Sequence, residues 1–152
     1  MKQYSFFNVD LLVDGLKVDG GFTAGNVIIT ARRNVPQHLP VMDAYGKGAV
    51  ATTADLSGTI QFPLLQTADW NEIMYEKAQL SQGTGLSGNK SLWTPIQIQI
   101  VDKMGDMLVN GVNGCILQQP AIQRGVSFTS NLWSVWVERI QFKTGSYPDA
   151  GV

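Results

Sequence analysis

The sequence has 152 residues, 44% of them hydrophobic and 15% charged, with one cysteine, one histidine and a formal net charge of −1. That length fits one domain, alone or with a long arm, and a domain of this size buries about two-thirds of its unfolded surface without a covalent staple. Cys115 alone excludes a disulfide framework and a thiolate zinc site, and His38 alone excludes a multi-histidine metal site.

The balance of 11 basic and 12 acidic residues argues against a conventional nucleic-acid-binding surface. No apolar run approaches the roughly 18 residues of a membrane span. The opening residues, Met1 to Phe7, lack the apolar stretch and small-residue cleavage site of a signal peptide, so the expectation is a cytosolic chain without a membrane anchor. Soluble proteins carry about 25% charged residues. Here the missing charge is replaced by 12 Gln, 8 Asn and 16 Gly. A monomer keeps a well-charged surface for solubility, so this composition suits a chain whose outside is covered by other copies. The plainer alternative is a β-domain with an ordinary amide bias.

Residues 4–14 alternate, with Phe7, Val9, Leu11 and Val13 on one face and Phe6, Asn8, Asp10, Leu12 and Asp14 on the other, which predicts a half-buried strand. Asp14-Gly15 and Asp19-Gly20-Gly21 are turn signals, and a second alternating run spans 26–32. The expectation is one long antiparallel hairpin over the first thirty residues. Residues 33–54 show no period over most of their length, yet they carry Val35, Leu39, Val41, Met42, Tyr45 and Val50. That is too apolar for a solvated linker. The stretch reads as an arm that folds onto a neighbouring subunit, or as a lid across its own domain.

Residues 55–65 return to strand, with Leu56, Ile60, Phe62 and Leu64 inward. A helix is predicted at about 68–80, capped by Thr67, with Trp70, Ile73, Met74 and Lys77 on one side and Asn71, Glu72, Glu76 and Gln79 facing out. Residues 81–91 read as a Ser/Gly/Asn-rich loop. Strands follow at Ile96–Ile100, at 107–110, at about 114–119 and at 132–142. In the last of these the apolar parity switches near Glu138, which predicts a bulge or a change of environment there. The fold class is therefore mainly β: an antiparallel β-sandwich or partly open barrel of about seven strands with one flanking helix and a long arm. The tail, 144–152, is irregular.

No catalytic set emerges. His38 lies between two prolines without a local partner, and Cys115 sits in a strand as a small packing residue. Asp10 and Asp14 read as a solvent-facing edge and Glu72 and Glu76 as an exposed helix face. The Gly83-to-Gly88 run lacks the strand–loop–helix context and spacing of a phosphate loop. What remains is surface chemistry. Ile96, Ile98 and Ile100 pack inward while Gln97 and Gln99 present neutral amides, a face able to line something polar without gripping it. A conduit for DNA avoids a continuous basic lining for that reason. A plain solvent-facing strand fits the same pattern.

The order of parts resembles the tail tube proteins of contractile-tailed bacteriophages. The resemblance rests on Tyr4-Ser5-Phe6 and Asn8-Val9, the arm with Gly46-Lys47-Gly48, Asp55 to Ile60, and the helix with Asn71. It continues through Ser91-Leu92-Trp93, Val101-Asp102, Gly105-Asp106, Pro120 and Leu132-Trp133. It reaches about residue 146.

The resemblance implies a single tail-tube domain over 1–152, assembling into hexameric rings that stack into a hollow tube in the virion tail. Assembly would take place in the host cytoplasm. It implies no catalytic residue, metal or cofactor. The implied partners are further copies, the tail sheath, a baseplate or tube initiator, a tail terminator, a tape measure protein, and genomic DNA passing without specific binding. Six subunits giving about four strands each at about 4.8 Å would enclose a lumen roughly 37 Å across. Val35, Leu39, Val41, Met42 and Tyr45 are then the expected contacts between subunits, Gln97 and Gln99 the expected lumen-facing residues, and deletion of 36–46 is expected to block polymerisation. Tubes of contractile injection machines (pyocin or type VI-like) are the alternative. A carbohydrate-binding β-sandwich using Trp93, Trp133 and Trp136 is the reading from a different class.

Overall fold

The computed structural model describes residues 1–82, 95–147 and 149. Among these, nine strands and one α-helix form a seven-stranded antiparallel sheet, a separate two-stranded sheet and a helix. The strands are β1 (Val9–Val13), β2 (Leu16–Lys17), β3 (Thr30–Arg33), β4 (His38–Met42), β5 (Gly48–Thr52), β6 (Gly58–Leu65), β7 (Ile96–Asp102), β8 (Met107–Ile116) and β9 (Ser130–Lys143); α1 is Trp70–Gln82. The large sheet runs β2-β1-β7-β8-β9-β6-β3 and does not close into a barrel. Its edges are the two-residue β2 and the four-residue β3.

One face of this sheet is the core. Period-2 alternation puts Leu11 and Val13, Ile60, Phe62 and Leu64, Ile96, Ile98 and Ile100, and Trp133, Val135 and Val137 on it, all buried. These join one cluster with Val109, Ile140 and, from the helix, Trp70 and Met74. The β9 parity switch falls where the sequence places it. Gly58 of β6 pairs with Val137, but Leu56 O accepts from Ile140 N, so three steps on β9 oppose two on the neighbouring chain. Gly58 makes that approach possible, because a Cβ there would stand 2.5 Å from Ile140 Cγ2 and 2.8 Å from Arg32 O.

Several expectations are corrected. The first thirty residues do not form a long hairpin. β1 turns back through Asp14 and Gly15, both at positive φ (52° and 82°), into the short β2, while β3 leaves to pair with β6 at the far edge. The alternation of β1 also starts later than expected: Phe6–Asn8 is a single 3-10 turn and Phe7 is exposed. The two strands expected at 107–110 and 114–119 are one strand. It absorbs an irregularity at Asn113 (φ 55°), where Gly111 and Gly114 oppose Ile98 and Ile96. The helix begins at Trp70, which puts Asp69 rather than Thr67 immediately before it.

Asn71 does not face out. It is buried, donates from Nδ2 to Leu65 O (2.6 Å), and accepts at Oδ1 from Asn131 Nδ2 (3.1 Å) and Trp133 Nε1 (3.0 Å). A carboxamide can donate and accept at once, which is what this junction of helix and two strands requires. The Gly83-to-Gly88 run and Trp93 lie outside the described residues.

Candidate assembly surfaces

The arm is an ordered antiparallel hairpin, which corrects the irregular reading of 33–54. His38 pairs with Thr52, Leu39 with Ala51, Pro40 with Val50, Val41 with Ala49 and Met42 with Gly48. Its turn is built by Asp43, whose Oδ1 accepts from Tyr45 N and Lys47 N (both 2.8 Å), and by Gly46 at φ 81°. Asp43 and Gly46 at that spacing were the available signal. Alternation was masked because both faces are apolar: directly paired residues share a face, so Leu39, Val41, Ala49 and Ala51 lie on one side and Pro40, Met42 and Val50 on the other.

Every residue of both strands is exposed, with Val41, Met42 and Val50 at 64–66% and Tyr45 at the tip at 91%. A lone two-stranded hairpin is marginal in water. One with two bare apolar faces needs a partner surface. Of the five residues singled out in the arm, Leu39 and Val41 share one face, Met42 takes the other and Tyr45 sits at the turn. Val35 is at the root and half-buried in its own chain. Also at the root, Arg33 Nη1 is buried and has no hydrogen-bond partner among the described residues. The geometry revises one experiment as well: deleting 36–46 would remove β4 and strand β5, so point substitutions are the cleaner perturbation.

Gln97 and Gln99 lie on the outward face of the large sheet, Gln97 exposed and Gln99 half-buried. Register places Leu12, Gln99, Asn110 and Gln141 side by side across β1, β7, β8 and β9. Gln99 Nε2 donates to Asn110 Oδ1 (3.3 Å), and on the same face Gln61 Nε2 donates to Ser134 Oγ (3.1 Å). Sequence reading singled out one member of this row, Gln99, and missed Asn110 and Gln141, because neighbours in a sheet are set by register.

The acidic residues of the first strand serve structure. Asp10 is buried between Lys103 Nζ (3.1 Å) and Lys17 Nζ (3.2 Å). The hydrogen bond from Lys103 holds its carboxyl below the usual carboxylate range, against the opposing effect of burial. Asp14 binds Lys77 Nζ of the helix (2.6 Å) and the Gln97 backbone N–H (2.9 Å). Asp10 is therefore not the solvent-facing edge expected, whereas Asp14 is exposed as expected.

A third surface was not legible in the sequence. The connection 117–129 between β8 and β9, with the start of β9, exposes Leu117, Ile122, Val126, Phe128 and Leu132. It is held firmly from below. Gln66 N donates to Thr129 O (2.9 Å), Thr129 Oγ1 donates to Gln66 Oε1 (2.8 Å), and Tyr75 Oη donates to Pro120 O (2.9 Å).

Catalytic chemistry finds little support. His38 is on the exposed hairpin with Nδ1 3.4 Å from Thr52 Oγ1. Burial pushes the Cys115 thiol up, which keeps it protonated and a poor nucleophile. Among the described residues no three His, Cys, Asp or Glu side chains are grouped to hold a metal ion. Trp133 is fully buried, edge-on to Tyr75 at 4.7 Å, so it cannot stack on a sugar.

No family model and no curated protein sequence matches the chain. Solved structures do. A chain of the sheath–tube complex of an extracellular contractile injection system (PVC), in the extended state, superposes with a TM-score of 0.59 at 11% identity, over 93% of this chain and 92% of that one. A chain of the tube-terminating cap of the anti-feeding prophage gives 0.54 at 14% identity, over 94% and 93%. A chain of the PVC sheath/tube terminator gives 0.54 at 12%, over 94% and 98%. Across almost its whole length, the chain has the fold found in chains of contractile injection systems.

Proposed function

We propose that this chain is a structural subunit of the inner tube of a contractile tail, a single tail-tube domain working in stacked hexameric rings. The observation that carries the reading is the open seven-stranded sheet. Its two edges, β2 and β3, are unpaired among the described residues, and their free backbone groups are a template that, in this reading, the sheets of neighbouring copies complete. Six such sheets around an axis leave no edge exposed. The shared fold with sheath–tube and terminator chains supports this reading, as does a surface poor in charge.

In this arrangement the outward amide row of Gln99, Asn110 and Gln141, with Gln97 beside it, lines the lumen. Neutral amides hydrate the wall without the counterion release that would make a duplex adhere. The conducted cargo is phage DNA in a virion. Sheath, initiator, terminator and tape measure protein are the partners, and the role is not enzymatic. The inner tube of an injection machine is the same object without a genome.

A second reading, a tube-ending cap, is favoured by the likeness to two terminator structures. The two differ in one respect: a cap joins at one end, whereas a tube subunit must join at both.

Negative-stain microscopy of the purified chain across a concentration series, with light scattering on the same samples, tests the proposal. Hollow tubes with six-fold end views are the expected result. Rings that never stack would favour the cap. A monomer that also fails to add to a preformed tube or baseplate seed would refute both.

A further inference from the structure

The hairpin and the apolar 117–132 surface lie at opposite ends of one strand. The hairpin leaves the sheet between Arg33 of β3 and Gly58, the first residue of β6. The 117–129 connection enters β9 at Ser130, which pairs with Leu65, the last residue of β6. Eight strand residues separate the two ends by about 25 Å. The hairpin therefore cannot cover that surface within its own chain without leaving its root.

We infer that the β4–β5 hairpin of one copy docks on the 117–132 surface of the next copy, making a head-to-tail junction that repeats along the assembly. The inference rests on the tube reading and supplies the acceptor for its arm. Three observations carry it. Each surface is apolar and exposed, with Ile122 and Phe128 more than 70% accessible. Each is almost free of charge: residues 35–54 contain only Asp43 and Lys47 besides His38, and residues 117–132 only Arg124. Among the described residues neither Asp43 at the hairpin tip nor Arg124 has an ion-pair partner in its own chain, so the junction can pair them.

The geometry also selects the symmetry. A two-fold dimer uses the same patch on both copies, whereas a donor at one end of β6 and an acceptor at the other make a heterologous contact, which with the two surfaces at opposite ends propagates along an axis rather than pairing. The acceptor is pre-ordered by the Gln66–Thr129 and Tyr75–Pro120 hydrogen bonds, so docking orders little additional chain.

The test uses two full-length variants. One has a disabled hairpin (Val41→Lys with Val50→Lys, one substitution on each face). The other has a disabled acceptor (Ile122→Asp with Phe128→Asp). All four positions are exposed, so circular dichroism and melting of the monomers should match wild type. If either variant fails to fold, the milder Ile122→Thr with Phe128→Ser or Val41→Thr with Val50→Thr replaces it.

Each variant alone should raise the concentration needed for tube growth at least tenfold. Mixed in equal amounts, they should form a complex with a single junction and stop, because only one intact hairpin–acceptor combination exists. Sedimentation velocity reads this directly. Tubes of wild-type length from the acceptor variant, or a mixture that behaves as two separate inert proteins, would overturn the inference while leaving the tube reading in place. A wild-type chain that neither polymerises nor adds to a seed would remove both.

Discussion

Replacing Asn71 with leucine tests whether one buried carboxamide holds the helix to the sheet. The substitution strands three groups at once: the Trp133 indole N–H, the Asn131 amide and the Leu65 carbonyl. Trp133 is fully buried and Asn131 only 5% exposed, so neither donor recovers water easily. An unsatisfied buried polar group costs about 1–3 kcal/mol, more than the net value of the bond itself. The half-buried Leu65 carbonyl can rehydrate in part, and leucine adds apolar contact, so the expected net loss is about 3–5 kcal/mol. For a domain of this size that lowers Tm by roughly 10–15 °C. Urea and thermal melts followed by far-ultraviolet circular dichroism measure it. The double variant Asn71→Ala with Trp133→Phe should lose less than the sum of its parts, with a coupling of about 1–2 kcal/mol. A loss under about 1 kcal/mol for Asn71→Leu, or additivity in the cycle, would refute the account.

Two further predictions concern packing and pH. Gly58→Ala should cost about 1–3 kcal/mol, because the new methyl meets Ile140 and the Arg32 carbonyl. Gly48→Ala, whose nearest contact is Met42 Sδ at 3.4 Å, should stay within about 0.5 kcal/mol. Equal effects in chemical denaturation would contradict this. The Tyr147 phenol donates to the buried Asp102 carboxylate, which raises its pKa above the ordinary value of 10.0. A raised folded value means the contribution is fully present below the ordinary tyrosine pKa and is lost as pH rises through the folded one. The stability difference between wild type and Tyr147→Phe should therefore be flat from neutral pH to about 10 and shrink above it. A difference that grows above pH 10 would exclude the phenol as donor.

What the sequence revealed follows the range over which each signal acts. Period-2 alternation is local and tied to burial, so Ile60, Phe62 and Leu64, the three isoleucines of β7, and the parity switch of β9 near Glu138 were all legible. Strand partners are not local. Nothing between residues 14 and 30 records that β3 joins β6 at the opposite edge from β1, so proximity in sequence wrongly implied a hairpin. The β4–β5 pair was hidden for another reason: with Leu39 and Val41 on one face and Met42 and Val50 on the other, there is no polar alternation to read. Asn71 was misplaced because polar residues on helices usually face water, and only the distant Asn131 and Trp133 make its burial favourable. The charge deficit was legible and pointed to covered surfaces. The location of the 117–132 surface was not, since a loop's exposure depends on what packs beneath it.

The relation between the two ends of β6 bears on which member of an assembly this chain can be. A subunit that ends a tube needs one adhesive end, and a bare apolar patch at the other would be a liability for aggregation. Here both ends are apolar and exposed and differ in structure, a two-stranded hairpin and a loop held by the Gln66–Thr129 and Tyr75–Pro120 hydrogen bonds. Identical subunits with unlike ends grow until something caps them, and like ends would stop at a pair. The scarcity of charge at both ends then has a physical role. Exposed charge at such a junction would have to be desolvated or paired each time a subunit added, whereas apolar surface carries no such cost and neutral amides a smaller one. In the proposed tube, the same economy on the outward sheet face, where Gln99, Asn110 and Gln141 stand in a row, would give a wall that hydrates without binding polyanions. One compositional bias would then serve the proposed growth at the ends and the proposed passage through the middle. A cap would need it at only one of those places, and on that ground the stacking subunit is the better reading of this chain.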